Sequence, residues 1–395
     1  MRLGWQVWKV GLGASVFLSA CEPAQPPGGH PGAGEIPQAH VTQRWIVGGL
    51  EERAGIVFRS SPHSAALAQD GTLAVVDMLG SQVLVLDDGG KPRAVLSREG
   101  VGPGELQSPE EAGFLGDSIL WVTDQAPGRM ILFRPTGEHV QTTSSLRERV
   151  PSSPWSARPR WLLSDGWKLG DAIAPQAVRG DPLPLPVVVW NRAGELSVVA
   201  WLPCPSRNNM QVPTPNGFYF MTKQPIGAHP LLGIPAGGDW FFSLERSPTD
   251  QAVGTITITR YQQTGVVIGR IEIPYVPVPA DDEVRQNLRR RAEGTARQLP
   301  AHYGRVDPGT IYEQYWIPVN LPPVQTVLAD GEGFWLQRER TRSGRWERYD
   351  LAGALEAVAQ LPVGFNGLAA APYAIVGRTR DSLGVHSLVR FDLEY

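Results

Sequence analysis

Gly116-Asp-Ser-Ile-Leu-Trp-Val-Thr-Asp124 is a turn followed by a short β-rich run that ends in an aspartate. Asp70-Gly-Thr-Leu-Ala-Val-Val-Asp77 shows the same pattern less than fifty residues earlier. Both copies continue alike. After Asp77 come Ser81-Gln-Val-Leu-Val-Leu86, then Gly89-Gly90, then Arg93-Ala-Val-Leu96. After Asp124 come the turn Gln125-Ala-Pro-Gly128, then Arg129-Met-Ile-Leu-Phe133, then Thr136-Gly137 and a run from His139. Short β-branched and aromatic runs separated by Gly, Asp and Pro predict successive antiparallel hairpins.

The rhythm persists along the chain. Weaker copies begin at Ser164-Asp-Gly-Trp-Lys-Leu169, Gly237-Gly-Asp-Trp-Phe-Phe-Ser243 and Asp330-Gly-Glu-Gly-Phe-Trp-Leu336, with a degenerate one at Pro372-Tyr-Ala-Ile-Val-Gly377. Four short strands recurring every roughly 40–50 residues define a β-propeller blade. One blade leaves both faces uncovered, whereas a ring of blades covers them and exposes only short edges. That also explains the length: residues 41–395 exceed the roughly 250–300 residues at which a single core stops growing. The expected fold is therefore all-β, a propeller of four-stranded antiparallel blades. Five copies are clear, and a partial one from Gly367 to Glu394 shows three strands. Arg44-Trp-Ile-Val47 belongs to no other blade and supplies the missing strand, so six blades are expected, with five or seven as alternatives because 152–235 is irregular.

Gly100-Val-Gly-Pro-Gly-Glu-Leu106, Pro109, Leu120-Trp-Val-Thr-Asp124 and Arg129-Met-Ile-Leu-Phe133 together resemble the NHL-type propeller repeat. The match is good from Ser97 to Gly137 and fair from Asp70 to Leu96; beyond Pro151 only the rhythm remains. The whole looks like a six-bladed propeller lipoprotein. The resemblance implies a fold and transfers no catalytic residue.

The N-terminus reads as a targeting segment. Arg2 and Lys9 precede the apolar run Val10 to Leu18, which is too short to span a bilayer. Leu18-Ser-Ala-Cys21 resembles the bacterial lipobox, so residues 1–20 are expected to be a signal peptide and Cys21 the lipidated residue. The Pro- and Gly-rich 21–40 reads as a tether that buries no core. Glu22, rather than Asp, after the cysteine favours the outer membrane, facing the periplasm or exterior. The membrane is then a partner through the lipid anchor alone. With Cys21 lipidated, Cys204 is the only other cysteine, so no internal disulfide is expected. A net charge of −3 gives no general attraction to nucleic acid, and a monomer is expected.

No motif names a reactive group. Gly100-x-Gly-x-Gly104 lies among prolines and β-runs, which suits an inter-blade turn better than a phosphate loop opening a helix. Asp77 and Asp124 sit at equivalent strand ends, where an aspartate commonly accepts from backbone N–H groups of the adjoining turn. The histidines His30, His40, His63, His139, His229, His302 and His386 do not cluster, so no local zinc site is encoded. There is no Gly-x-Ser-x-Gly elbow. No catalytic residue and no cofactor are predicted, calcium on axial carboxylates being the metal the fold leaves open.

Asp281 to Leu299 breaks the β rhythm. Val284, Leu288, Ala292 and Ala296 recur at helical spacing with Leu299 near the same stripe, and Asp281 or Asp282 caps the start. This predicts an amphipathic helix, at about 280–300, inserted between the fourth and fifth blades. Its stripe is expected to pack on the propeller, leaving Arg285, Arg289, Arg290 and Arg291 as a basic partner surface, extended by Tyr303 to Trp316. The predicted function is a lipid-anchored extracytoplasmic module that binds or scaffolds a protein or small-molecule ligand. The alternative is a metal-dependent hydrolase, lactonase or lyase with its site in the axial channel.

Overall fold

The computed structural model describes residues 36–395, apart from 50–55, 57, 97, 145–147, 152, 154, 155, 174–183, 205–208, 228, 229, 236 and 339–343. Blade 1 comprises the strands Ser64–Leu67, Leu73–Asp77, Gln82–Leu86 and Pro92–Leu96, and blade 2 comprises Pro109–Leu115, Ile119–Asp124, Arg129–Phe133 and His139–Ser144. Blade 3 comprises Ser156–Leu162, Lys168–Ile173, Leu185–Trp190 and Leu196–Leu202, with the two-residue strand Glu148–Arg149 added at its inner edge. Blade 4 comprises Leu231–Gly233, Trp240–Glu245, Gly254–Gln262 and Val267–Tyr275; blade 5 comprises Val324–Ala329, Gly333–Arg338, Arg345–Asp350 and Leu355–Gln360. Blade 6 takes Asn366–Ala371, Ala374–Arg380 and His386–Glu394 from the end of the chain and His40–Gly48 from its beginning. First strands of successive blades approach one another at five of the six junctions, blade 6 meeting blade 1. The chain is a six-bladed β-propeller.

The packing explains why the central strands read as continuous apolar runs rather than alternating ones. Successive side chains on a strand point to opposite faces. Ala74 and Val76 pack with Phe114, Val122 and Ile131 of blade 2, while Leu73 and Val75 pack with Ala369, Val376 and Leu388 of blade 6. Both faces of a blade are therefore core, and each interface is a separate apolar cluster. Adding a blade adds a core, which lets the chain outgrow the limit of a single one.

The ring closes as the sequence predicts. His40–Gly48 runs antiparallel to His386–Glu394, with His40 opposite Glu394 and Gly48 opposite Ser387. Trp45 Nε1 donates to Asp88 O of blade 1 at 2.9 Å. Arg44 and Arg390 both ion-pair Asp88 and Asp392 across the closure. Before this strand, Ala39 N donates to Val358 O at 2.8 Å and Val358 N to Pro37 O at 3.0 Å, so the segment just inside the expected tether already pairs with the outer strand of blade 5.

An up-and-down meander sorts its connections by face. Turns joining first to second and third to fourth strands share one face, here the turn face, and all are short. Links joining second to third strands, and each blade to the next, share the opposite face, here the connection face. The two long inserted segments, 203–230 and 276–323, both link one blade to the next, so their described residues belong to that face. The closing strand starts from the turn face, because Glu394 ends a third strand.

The helix forms where expected, between blades 4 and 5. Helix α1 spans Asp282–Gln298 and is capped by Asp281, which accepts from Val284 N at 3.0 Å. A second helix, α2, spans Pro308–Glu313 and is capped by Asp307. The expectation that α1 packs on the propeller is corrected. Leu288 and Ala292 pack with Met210, Val212 and Phe220 of a hairpin, Asn209–Pro213 and Tyr219–Lys223, and with Ile311 of α2. Among the described residues no blade strand contributes to this cluster. The stripe finds a partner of its own kind, a second insertion from the blade 3–blade 4 link, and the two build a cap with its own core.

Candidate functional site

Polar side chains concentrate where the innermost strands meet the connection face. Most of them bridge blades. Ser64 Oγ of blade 1 donates to Glu111 Oε2 of blade 2 at 2.5 Å. Arg158 and Arg160 of blade 3 bind Glu110 at 2.7 Å and Glu111 at 3.1 Å. Arg246, just past the second strand of blade 4, donates to Val324 O of blade 5 at 2.8 Å. Gln337 of blade 5 donates to Phe365 O at 3.5 Å, and Arg378 of blade 6 donates to Pro62 O, leading into blade 1, at 2.6 Å. Among the described residues, five of the six junctions are thus stitched by a side chain reaching the start of the neighbouring inner strand. Both oxygens of Glu111 are engaged, and no group of three or more His, Cys, Asp or Glu among the described residues could hold a metal ion.

The glycine loop is built on a cation. Arg129 is 7% exposed and Asp124 1%. Arg129 donates to Asp124 through Nε at 3.1 Å and Nη2 at 2.9 Å, and its remaining donors reach the carbonyls of Gly100, Val101, Gly102 and Glu105. A phosphate loop turns N–H groups toward its ligand; this loop turns carbonyls toward a guanidinium. Asp124 also accepts from Ser108 N at 2.5 Å. In blade 1, Asp77 accepts from Arg59 N at 2.7 Å, Ser60 N at 3.1 Å and Gly80 N at 3.2 Å, with Gln82 where blade 2 has Arg129. Both aspartates pin the link into their own blade, and Asp77 also holds the turn that follows it.

Blade 5 holds a buried acid beside the connection face. Glu347 accepts from Arg338 Nε at 2.7 Å, Arg345 Nε at 3.1 Å and Tyr349 Oη at 2.9 Å. Burial works to raise its carboxyl, but Arg338, Tyr349 and Arg345 outweigh burial and hold it below the ordinary 4.5. Burial pushes the Tyr349 phenol up to about 12, against the Arg338 charge, so it stays protonated and donating. A carboxyl that titrates lower when folded stabilises fully above the unfolded value and loses this as pH falls through the folded one. Glu347→Gln is therefore expected to flatten the dependence of stability on pH below about 4.5, measured by urea unfolding across that range; an unchanged slope refutes the assignment.

The sequence-selected arginines do not share one face. At about 100° per residue, Arg285 falls at the edge of the apolar stripe and is half-buried, Arg289 and Arg291 flank the stripe on opposite sides, and Arg290 points outward. Arg289 stacks over Tyr312 at 5.3 Å, and Arg290 bonds to Asn287. The histidines stay apart: His40 in the closing strand, His63 leading into blade 1, His139 against Phe133 and Thr142, His302 in the cap and His386 on blade 6. Cys204 is half-buried just past the outer strand of blade 3. Cys21, His30 and His229 lie outside the described residues.

The hairpin at 209–223 was missed in the sequence, although its signal is present: Asn216-Gly217 stands between apolar residues, a strong hairpin mark. It was obscured because the stretch does not fit the blade rhythm.

No protein-family model matches the chain, and no curated protein matches it in sequence. Solved structures do match. A protein assigned to export in Bacteroides fragilis NCTC 9343 is 12% identical, over 92% of this chain and 97% of that chain, with a TM-score of 0.45. A DUF4221 family member from Bacteroides vulgatus ATCC 8482 is 9% identical, over 91% and 99%, with a TM-score of 0.46. A calcium-binding protein, regucalcin, from Agrobacterium tumefaciens str. C58 is 11% identical, over 84% and 90%, with a TM-score of 0.38. The likeness is one of fold alone. Among the described residues no helix is long and apolar enough to cross a membrane.

Proposed function

We propose that the chain is a lipid-anchored, extracytoplasmic propeller that binds or scaffolds a ligand, attached through Cys21 and without a catalytic centre on its axis. The observation that carries this reading is the cap. It has a separate core and contributes no strand to the ring, so ring closure does not require it. The polar groups at the axis support the same reading, because their bonds join blade to blade. Partner contact is assigned to the cap, where Arg290 and Arg291 are exposed while Arg285 and Arg289 are partly held by the cap itself.

Two measurements on the full chain test this. A clickable fatty acid fed to the expressing cells is expected to label the native protein and not Cys21→Ser; equal labelling removes the anchor. Protein purified without chelator is expected to carry no stoichiometric calcium or zinc. One metal per chain would replace the binding module with the channel enzyme.

A further inference from the structure

The outer strand of blade 4, Val267–Tyr275, is nine residues long and carries an open edge. A long unpaired edge is a template for another strand, and proteins usually cover or shorten it. The outer strand of blade 5 is covered in this way, Val358 bonding to Pro37 and Ala39. Among the described residues no backbone bond from outside blade 4 reaches 267–275.

Opposed residues of an antiparallel ladder alternate between exchanging both backbone bonds and exchanging neither. Pro274 has no N–H and stands opposite Thr255, so it takes a place of the second kind, with its carbonyl turned outward. The register runs without a shift from Tyr275 to Gly269, so Glu272 and Arg270 also turn their N–H and C=O groups outward. Both side chains are exposed, and their contact along the strand is a loose 3.9 Å.

We infer that this edge pairs antiparallel with the same edge of a second copy of the chain, about a two-fold axis at Ile271. Bonds form only where outward residues face outward residues. Centred on Ile271, Arg270 stands opposite Glu272 of the second copy, and Glu272 opposite its Arg270. Sliding one strand by two residues sets Arg270 against Arg270 or Glu272 against Glu272, and like charges directly opposite are destabilising. Charge therefore selects one register. The same two-fold lays the turn end of one strand along the connection end of the other. Val266 and Val267 are each 56% exposed at the first, and Val276 is 75% exposed at the second. Pairing uses up both edges, so the assembly closes as a dimer and does not grow. Two edge strands bury little area, so the dimer is a reversible one. It departs from the monomer expected from sequence and does not depend on the binding-module reading.

The test is sedimentation velocity of the full chain over a concentration series. The native protein is expected to form a dimer that weakens as salt rises. Arg270→Glu and Glu272→Arg are each expected to weaken it at least about tenfold, because each sets like charges opposite one another. An equimolar mixture of the two variants is expected to regain the dimer, since every opposed pair is then of unlike charge. Both positions are exposed, and unaltered thermal unfolding verifies that each variant folds. A native chain that stays monomeric at every concentration overturns the inference. So does a dimer indifferent to both substitutions, which marks another surface, or one that the mixture fails to regain, which refutes the register.

Discussion

Removing residues 36–48 is expected to abolish the cooperative unfolding transition and leave a protein that aggregates. The deleted strand is the whole outer edge of blade 6. Its loss uncovers the edge of His386–Glu394, where Leu388, Val389, Phe391 and Leu393 are each at most 4% exposed. It also removes Val47, Ile46 and Trp45 from the clusters joining blade 6 to its neighbours. Burial of each large apolar side chain is worth about 1.5–3 kcal/mol, and each hydrogen bond of the ladder about 0.5–1.5 kcal/mol. Several of each together rival the ~5–15 kcal/mol that holds a whole domain. The four-charge network of Arg44, Arg390, Asp88 and Asp392 adds less, since Arg44 and Asp88 are more than 40% exposed and pairs of that kind are worth about 0–1 kcal/mol. A circular permutant that carries 36–48 after Tyr395 is expected to recover the transition, because His40 pairs with Glu394 and a short turn spans the junction. Differential scanning calorimetry decides the matter. An unchanged melting temperature in the deletion, or a permutant that fails as completely, would mean that closure by both termini does not hold the ring.

Arg129→Met is expected to cost about 3–5 kcal/mol, the range for breaking a buried ion pair from one side. The substitution leaves the Asp124 charge buried without its cation and strands the carbonyls of Gly100, Val101, Gly102 and Glu105. Arg129→Lys is expected to recover little, because an ammonium offers three donors from a point and cannot reproduce the planar fork. Asp124→Leu combined with Arg129→Met is expected to be milder than the two single losses added together, since the uncompensated charge is gone. The exposed pair Arg192–Asp165 is the comparison: Arg192→Met is expected to change stability by less than about 1 kcal/mol. Urea unfolding measures all four. A small loss in Arg129→Met, equal to that of Arg192→Met, would show that the glycine loop holds itself without the guanidinium.

The architecture was legible in the sequence because its signals are local. A turn of Asp and Gly and a β-rich run recur along the chain, with a closing aspartate in the first two copies, and a strand begins within each copy. The leftover Arg44–Val47 and the three-strand ending at Glu394 had no other way to complete a blade, so ring closure followed from counting. The amphipathic spacing of Val284, Leu288, Ala292 and Ala296 placed α1 for the same reason.

The site was not legible, because its bonds are not local. Arg378 reaches Pro62 O across 316 positions, and Arg246 reaches Val324 O across 78. Nothing within one repeat says which neighbour such an arginine will meet. The face against which α1 packs was equally hidden, since an apolar stripe specifies that it must be covered and not what covers it. The sequence alone therefore determined the blade architecture and the strand that closes it, both being consequences of periods and turns, while the irregular stretch 152–235 left the count of six to the structure. Only the tertiary structure decided that the axial charges join the blades, and that two separate insertions meet as a cap, because those contacts arise only once the ring has brought distant residues together.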